Sequence, residues 1–517
     1  MKFETLISHS GELLSIAVKS NKSTDSLLSE YLHKKKYIGS KERKFITDIL
    51  FCSIRVLSIS AYCLECALEN VFLKDKTFDS YYSFPFYPAF DIDSHFSRVI
   101  IDSKKIDTEI FNTNWFRLLL CSTSALIQEN KLGISDNLIL NHLNLLYGDS
   151  IDLKNEIIYS FCFFADLNFD SAKKIYDKIC SSYDKLKKQV NKLSKRSFSS
   201  LTQKDKYSFA LFCSMPLWII EKLVNQYPNL NDVLDLCNSL KEQAPITIRV
   251  NQYEKHKKSI INNFTSQNIV VNVSNISPAG LILEKRLQLN VEPMFKQGLY
   301  EIQDEGSQLV SFALNPDKEA KVLDACAGAG GKTLHIADLQ ADSGKITAFD
   351  TDFLRLKELK KRALKHNYQS IVTLFNKNGI LPDNFKNSFD FVLVDAPCSG
   401  MGTVRRLPLT KWRLTPEILD RHSKKQLKLL DYFSQFLKAG GILVYSTCSF
   451  MSKENDEVIA NFLDSHPKFV PDSLLEPFLK FEINVKIDQK EPYKVTLLPS
   501  IYNCDGFFIA RLKRIEL

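Results

Sequence analysis

Between Lys321 and Ser449 the chain holds four short pieces in a fixed order: VLDACAGAGGKT (Val322–Thr333), ITAFDTD (Ile346–Asp352), FVLVDAPCSGMGTVRR (Phe391–Arg406) and GILVYSTCSF (Gly441–Phe450). Each begins with apolar, often β-branched residues and breaks at small or polar ones. Such pieces read as buried parallel strands that end in loops at the carboxyl edge of one sheet. Open α/β sheets bind their ligands along that edge. Two of the strand ends carry a cysteine, Cys398 and Cys448, and the first of these follows Asp395. The fold class is therefore α/β for this part, and 517 residues leave room for about two to four domains.

The first loop, CAGAGGKT, bears three comparisons. A phosphate-binding P-loop needs glycine where Cys326 stands. A dinucleotide fingerprint needs a spacing that GAGG does not keep. The loop does fit the glycine-rich turn of class I methyltransferases, where backbone must come close to an adenosyl cofactor. Asp350 ends the next strand, where an acid accepts hydrogen bonds from ribose hydroxyls in Rossmann-like folds. A tight turn followed by a helix cap is the plain alternative.

DAPCSG and STCS sharpen the choice. Carbon-5 of a pyrimidine is a weak nucleophile. Addition of a thiolate at carbon-6 makes an enamine whose carbon-5 can attack an electrophilic methyl group, and a carboxyl group beside ring nitrogen-3 helps as charge develops there. This chemistry calls for a cysteine, an acid and a sulfonium methyl donor at one sheet edge. Cys398, Cys448 and Asp395 stand beside the glycine loop in that way.

Composition adds bounds. With 44% hydrophobic and 25% charged residues the chain is ordinary globular material. No apolar run reaches bilayer length, and the first twenty residues lack the pattern of a signal peptide. Twelve cysteines are scattered, and the single CxxC (Cys63–Cys66) has no second pair to complete a zinc site. Core thiols in a reducing cytoplasm, with no metal and no membrane, are the expectation. The formal net charge of +8 is compatible with a nucleic-acid partner without demanding one.

Residues 1–150 and 151–240 carry helical periodicity, with Phe45, Ile46, Ile49, Leu50 and Ile54 at helical spacing among basic residues. The run from Lys185 to Lys206 reads most simply as a solvated helix face. From Pro245 the texture changes: ITIRVN, IVVNV and GLILEK are short β-rich runs that mark a small α/β subdomain over 241–300. Arg249 and Asn251 close the first run, either as ordinary strand-end groups or as contacts to a nucleic-acid strand. The aromatic segment Phe78–Phe96 suggests a locally packed loop.

YIGSKERKFITDILFCSIR resembles the opening helices of NusB-like RNA-binding domains. In that context Arg43, Lys44 and Arg55 are candidate phosphate contacts. IQDEGSQL (Ile302–Leu309), LDACAGAGGKT, DAPCSG, RRLPLTKW (Arg405–Trp412), YSTCS and DGFFIARL (Asp505–Leu512) together resemble the Fmu/Nol1/Nop2/Sun family of S-adenosylmethionine-dependent RNA (cytosine-5) methyltransferases, in its bacterial ribosomal, RsmB-like branch. The resemblance implies a Rossmann-like class I methyltransferase domain over 301–517, preceded by the all-α NusB-like region and the small α/β RNA-binding subdomain. It implies Cys448 as the nucleophile, Cys398 in product release, Asp395 on the cytosine edge and Lys332 beside the substrate. S-adenosyl-L-methionine would be held by Cys326, Ala327, Gly328, Ala329, Gly330, Gly331, Lys332, Asp350 and Asp395, with Asn378 where the family often has an acid. RNA, ribosomal RNA foremost, is the implied partner of a monomer, and Arg249, Asn251, Arg405 and Arg406 join its candidate contacts. The base would be reached unpaired or flipped out.

Other readings stay open. A transfer-RNA methyltransferase uses the same chemistry. A DNA cytosine methyltransferase would attack with a Pro-Cys cysteine such as Cys398, against which Cys448 and the NusB-like start argue. A nucleotide-dependent oxidoreductase suffers from the broken glycine spacing. An idle RNA-binding assembly factor has no need of both cysteines.

Overall fold

The computed structural model describes residues 1–20, 22–72, 120–123, 125, 152–165, 167–284 and 292–516. Phe78–Phe96 lies outside them. The chain divides into two units, Met1–Gln243 with Val404–Thr415, and Ala244–Thr403 with Pro416–Leu517.

The first unit is helical in its described residues. Helix Ser40–Arg55 starts where the Glu42 carboxylate accepts the Gly39 N–H at 2.7 Å, and it buries Phe45, Ile46, Ile49, Leu50 and Ile54 along one stripe. Helix Phe169–Leu193 is capped by Asn168, whose side chain accepts from Ser171 N–H. It buries Ile175, Ile179, Tyr183, Leu186 and Val190 and leaves Lys185, Lys187, Lys188 and Lys192 in solvent. The basic run is thus a solvated face. Residues 1–150 and 151–240, expected as separate regions, contribute to this one unit. So does the strip Val404–Thr415, expected inside the methyltransferase domain.

The second unit contains two sheets. Strands β1 (Ile246–Val250), β2 (Val271–Val273), β3 (Gly280–Leu283) and β4 (Tyr300–Ile302) form an antiparallel sheet in the order β2-β3-β1-β4. Helix Tyr253–Ser266 covers it through Ile260 and Phe264, in a core with Ile248, Val250, Leu281, Leu283 and Tyr300. The subdomain was legible from its first three strands; β4 was not.

The larger sheet runs β10-β12-β9-β8-β5-β6-β7, with β11 paired to β12. Strands β5 (Lys321–Asp324), β6 (Lys345–Asp350), β7 (Ile371–Phe375), β8 (Phe389–Asp395) and β9 (Leu437–Thr447) are parallel. Strand β12 (Phe507–Arg514) pairs antiparallel with β9, and β10 (Phe469–Pro471) and β11 (Lys494–Leu497) lie antiparallel to β12. Apolar clusters cover both faces: Val322, Ile346, Leu393 and Val444 on one, and Leu323, Phe349, Val392 and Leu443 on the other. Burial on both faces explains why these strands read as continuous apolar runs. The order reverses at β5, whose neighbours are β6 and β8, so the chain's ligand-binding crevice belongs at the carboxyl ends of these strands. This is the expected Rossmann-like class I methyltransferase architecture.

Candidate active site

Strand pairing gathers the loops. Because β8 lies between β5 and β9, the DAPCSG loop is flanked by CAGAGGKT on one side and STCS on the other. Ala325 N–H donates to Leu393 O and Ala396 N–H to Ser446 O, both at 2.9 Å, which carries the ladder to the loop mouths.

Two pairs of side chains meet there. Lys332 Nζ lies 2.7 Å from Asp395 Oδ2, while Ser446 Oγ donates to Asp395 Oδ1 at 2.7 Å. The lysine also lies over the Phe507 ring, 5.3 Å from its centroid. Cys398 and Cys448 stand with their sulfurs 3.2 Å apart, both partly exposed. The hydrogen bond with Cys448, then burial, pushes the Cys398 thiol well above its ordinary range. A neutral Cys398 thiol beside Cys448 can donate to a thiolate there.

Backbone holds these loops in place. Gly402 N–H donates to Cys448 O at 2.9 Å, and Gly506 N–H donates to Gly402 O at 2.8 Å. A Cβ at Gly402 would sit 1.9 Å from the Gly506 carbonyl oxygen, so only glycine permits the crossing.

The glycine loop turns tightly in front of Asp350. Gly328 (φ +53°) donates its N–H to Asp350 Oδ2 at 2.8 Å. Gly330 adopts φ +86°, and a Cβ there would meet Leu359 at 2.5 Å, so the loop packs bare against helix Phe353–Lys365. Helix Gly331–Leu339 begins directly after it. Asp350 also accepts from Asp352 N–H at 2.8 Å, yet a carboxylate has lone pairs left for further donors. Asn378 lies in the exposed turn after β7, and the adjacent Gly379 approaches Thr351, next to Asp350. Burial and the carboxylates of Asp324, Asp395 and Asp350 push the Cys326 thiol well up, which keeps it neutral. A bare loop, a strand-end carboxylate and a neutral thiol suit an uncharged adenosyl moiety, so the residues present fit the expected cofactor.

Four expected RNA contacts stand elsewhere. Arg249 is fully buried and donates to Gln303 Oε1, to Gly331 O at 2.7 Å and to Asn251 Oδ1 at 2.9 Å. Asn251, also buried, donates to Gly298 O at 2.8 Å. In the first unit, the buried Arg55 donates to Arg405 O at 2.9 and 3.1 Å, and the buried Arg405 donates to Gln243 O at 2.7 Å. These four are internal braces, because each guanidinium or amide meets a carbonyl of its own unit. Arg43 is partly buried with its Nε on Ile38 O, Lys44 is exposed and Arg406 is intermediate.

Several participants carried no signal in the sequence. Asp324 at the end of β5 accepts from Thr333 Oγ1 at 2.6 Å, beneath the glycine loop. Glu454 and Gln426 bind the cysteine loops from behind. Helix Pro416–Ser434, which carries Gln426, exposes Arg421, Lys424, Lys425 and Lys428 at helical spacing. Only that spacing of cations could have drawn notice. Among the described residues no cluster of three or more His, Cys, Asp or Glu side chains is arranged for a metal ion, and no single helix is long and apolar enough to cross a membrane.

Known proteins agree with this architecture. Residues 311–513 match the family of 16S rRNA methyltransferases RsmB/F, and residues 215–290 match the ferredoxin-like domain of RsmF/B-like methyltransferases. A probable ribosomal RNA small subunit methyltransferase B of Bacillus subtilis is 33% identical over 302 residues, 58% of this chain and 66% of that protein. Its counterpart in Synechocystis sp. is 31% identical over 319 residues, 61% and 70% of the two chains. The chain thus spans about two thirds of the length of these relatives. The crystal structure of PH0851 shares the fold, with a TM-score of 0.66, 20% identity and 99% of each chain covered. Matched in both its methyltransferase and ferredoxin-like regions, the chain belongs to the RsmB/F family of rRNA methyltransferases.

Proposed function

We propose that the protein transfers a methyl group from S-adenosyl-L-methionine to carbon-5 of a cytosine in ribosomal RNA of the small subunit, through a covalent cysteine–cytosine intermediate. The observation that carries this reading is the pair of thiols 3.2 Å apart beside the Lys332–Asp395 pair, at the switch point of the sheet.

When bound, the cofactor supplies an electrophilic methyl group. Asp350 would accept from the ribose hydroxyls, and the Cys326–Lys332 loop would hold the rest of the cofactor. Asn378 would offer both a donor and an acceptor to the cofactor's adenine. Asp395 and Lys332 provide an acceptor and a donor for the pairing edge of an extruded cytosine. Cys448 adds its thiolate sulfur to carbon-6, and the ring's electron pair moves to carbon-5, which takes the methyl group. Loss of the carbon-5 proton to solvent water and departure of the thiolate restore the aromatic ring. Cys398, held as a thiol by its neighbour and by burial, is suited to hand a proton to the departing sulfur.

The test is incubation with labelled S-adenosyl-L-methionine and, separately, small-subunit rRNA, transfer RNA and DNA, followed by bisulfite mapping of the labelled strand. Label on rRNA at a single cytosine is the expected result. Label confined to transfer RNA or DNA overturns the substrate, and a methyl group away from carbon-5 overturns the chemistry.

A further inference from the structure

Glu454 ends the short turn Ser452–Glu454 that follows the STCS loop, and its side chain is fully buried. Among the described residues the donors to its carboxylate are all neutral. Oε1 accepts from Ser399 N–H at 2.7 Å and from Gln426 Nε2 at 3.1 Å. Oε2 accepts from Ser399 Oγ and from Ser449 Oγ, the latter at 2.6 Å. A buried carboxylate without a cation is costly, and only a full set of donors makes it tolerable.

Those donors are not scattered. Ser399 directly follows Cys398, and Ser449 directly follows Cys448. Gln426 extends the grip, since its Nε2 also donates to Pro397 O, on the other side of Cys398, at 3.1 Å. The neighbouring Asn455 brackets Cys448 in the same way. It accepts from Thr447 Oγ1 at 2.6 Å and donates to Ser449 O at 2.9 Å. At its other end Glu454 is pinned by Tyr445 OH, which donates to its main-chain oxygen at 2.6 Å. One carboxylate therefore ties together the two loops whose sulfurs face each other. No other residue type of this size offers four acceptor sites to four converging donors.

We infer that Glu454 is a positioning residue: by holding Ser399 and Ser449 on one carboxylate it sets the spacing of Cys398 and Cys448, so that attack and release act on the same base. The role rests on the methyltransferase reading above, and the spacing is set mainly through the two serines. Its charge also faces Cys398, where it adds to the other causes that hold the proton on that sulfur.

The test uses the full chain with Glu454→Gln and Glu454→Ala. In protein without RNA, each cysteine's alkylation by iodoacetamide is followed against pH by mass spectrometry. With labelled S-adenosyl-L-methionine and small-subunit rRNA, single-turnover transfer is measured alongside the KM for RNA. Glu454→Gln keeps the size and can keep most of the bonds, because serine hydroxyls can turn to accept. It is expected to fold normally and to move the Cys398 alkylation profile to lower pH, a shift that a purely structural role would not produce. Glu454→Ala is expected to slow transfer about 100-fold with KM changed less than about threefold, the penalty of an ångström-scale misplacement. Glu454→Gln should recover at least about tenfold of that loss. A folded Glu454→Ala protein that transfers at the wild-type rate overturns the inference. So does a Glu454→Gln protein whose alkylation profiles match wild type at both cysteines. If wild-type protein methylates no RNA, the functional reading fails, and the alkylation profiles still decide the positioning role.

Discussion

Replacing Arg249 with methionine separates an internal brace from an RNA contact. The side chain is fully buried, and its guanidinium serves three acceptors: Gln303 Oε1, Gly331 O at the start of the helix after the glycine loop, and Asn251 Oδ1. Methionine nearly fills the volume but leaves those acceptors without donors. Each unsatisfied buried acceptor costs about 1–3 kcal/mol. Part of that loss is offset, because a buried cation no longer has to be desolvated. A net cost of about 3 kcal/mol follows, and for a unit of this size it lowers the unfolding midpoint by about 6–12 °C. Denaturant and thermal unfolding of the variant, with RNA binding at several salt concentrations, measure both sides. The expected protein is less stable, with the salt slope of RNA binding unchanged. A variant that unfolds with wild-type stability but loses RNA affinity and salt slope would return Arg249 to the phosphate backbone and refute the reasoning.

Asp350→Ala should weaken S-adenosyl-L-methionine binding by about 1–3 kcal/mol, measured by calorimetry on protein that still folds. Cys448→Ala should abolish both methyl transfer and any covalent RNA adduct. Cys398→Ala should still attack, and adducts that survive denaturing gels should build up; the reverse pattern would exchange the two roles. Burial raises the Asp324 carboxyl to about 7 from an ordinary value of 3.8. An acid that keeps its proton more firmly when folded stabilises most below its unfolded pKa, and that contribution is lost as pH rises through about 7. Asp324→Asn should therefore flatten the fall in stability between roughly pH 4 and 7, read from urea midpoints at each pH. Glutamine at Lys424, Lys425 and Lys428 should reduce the salt slope of RNA binding by about 0.7–0.9 for each phosphate no longer neutralised, and leave cofactor affinity alone.

The parallel strands of the second unit were legible because burial on both faces leaves an unbroken apolar run, as in FVLVD and GILVYST. Their order in the sheet was not, since pairing between β5 and β8 joins segments far apart in sequence. The cysteines were legible because two thiols at two strand ends demand a chemical reason. Arg249 misled for the opposite reason. A charged residue closing a strand reads as exposed, and nothing local reveals a partner such as Gln303, over fifty residues away. Glu454 was silent in the same way: SKEN looks like any polar turn until its carboxylate is found between two loops.

Strip Val404–Thr415 begins a few residues after Cys398 yet belongs to the helical unit. Inside that unit Lys411 is buried with Nζ on Arg55 O at 2.7 Å, Trp412 Nε1 donates to Ile54 O at 3.2 Å, and Arg413 donates to Ser20 O at 2.6 Å. During synthesis the first 243 residues therefore emerge without their last structural member. At about 5–20 residues per second, the ribosome needs roughly ten to thirty seconds more to deliver it. Through that interval the carbonyls of Ser20, Ile54 and Arg55 wait for donors that have not yet been translated. The helical unit is thus encoded first and completed late, and a fragment ending at Gln243 should be a poor folder on its own.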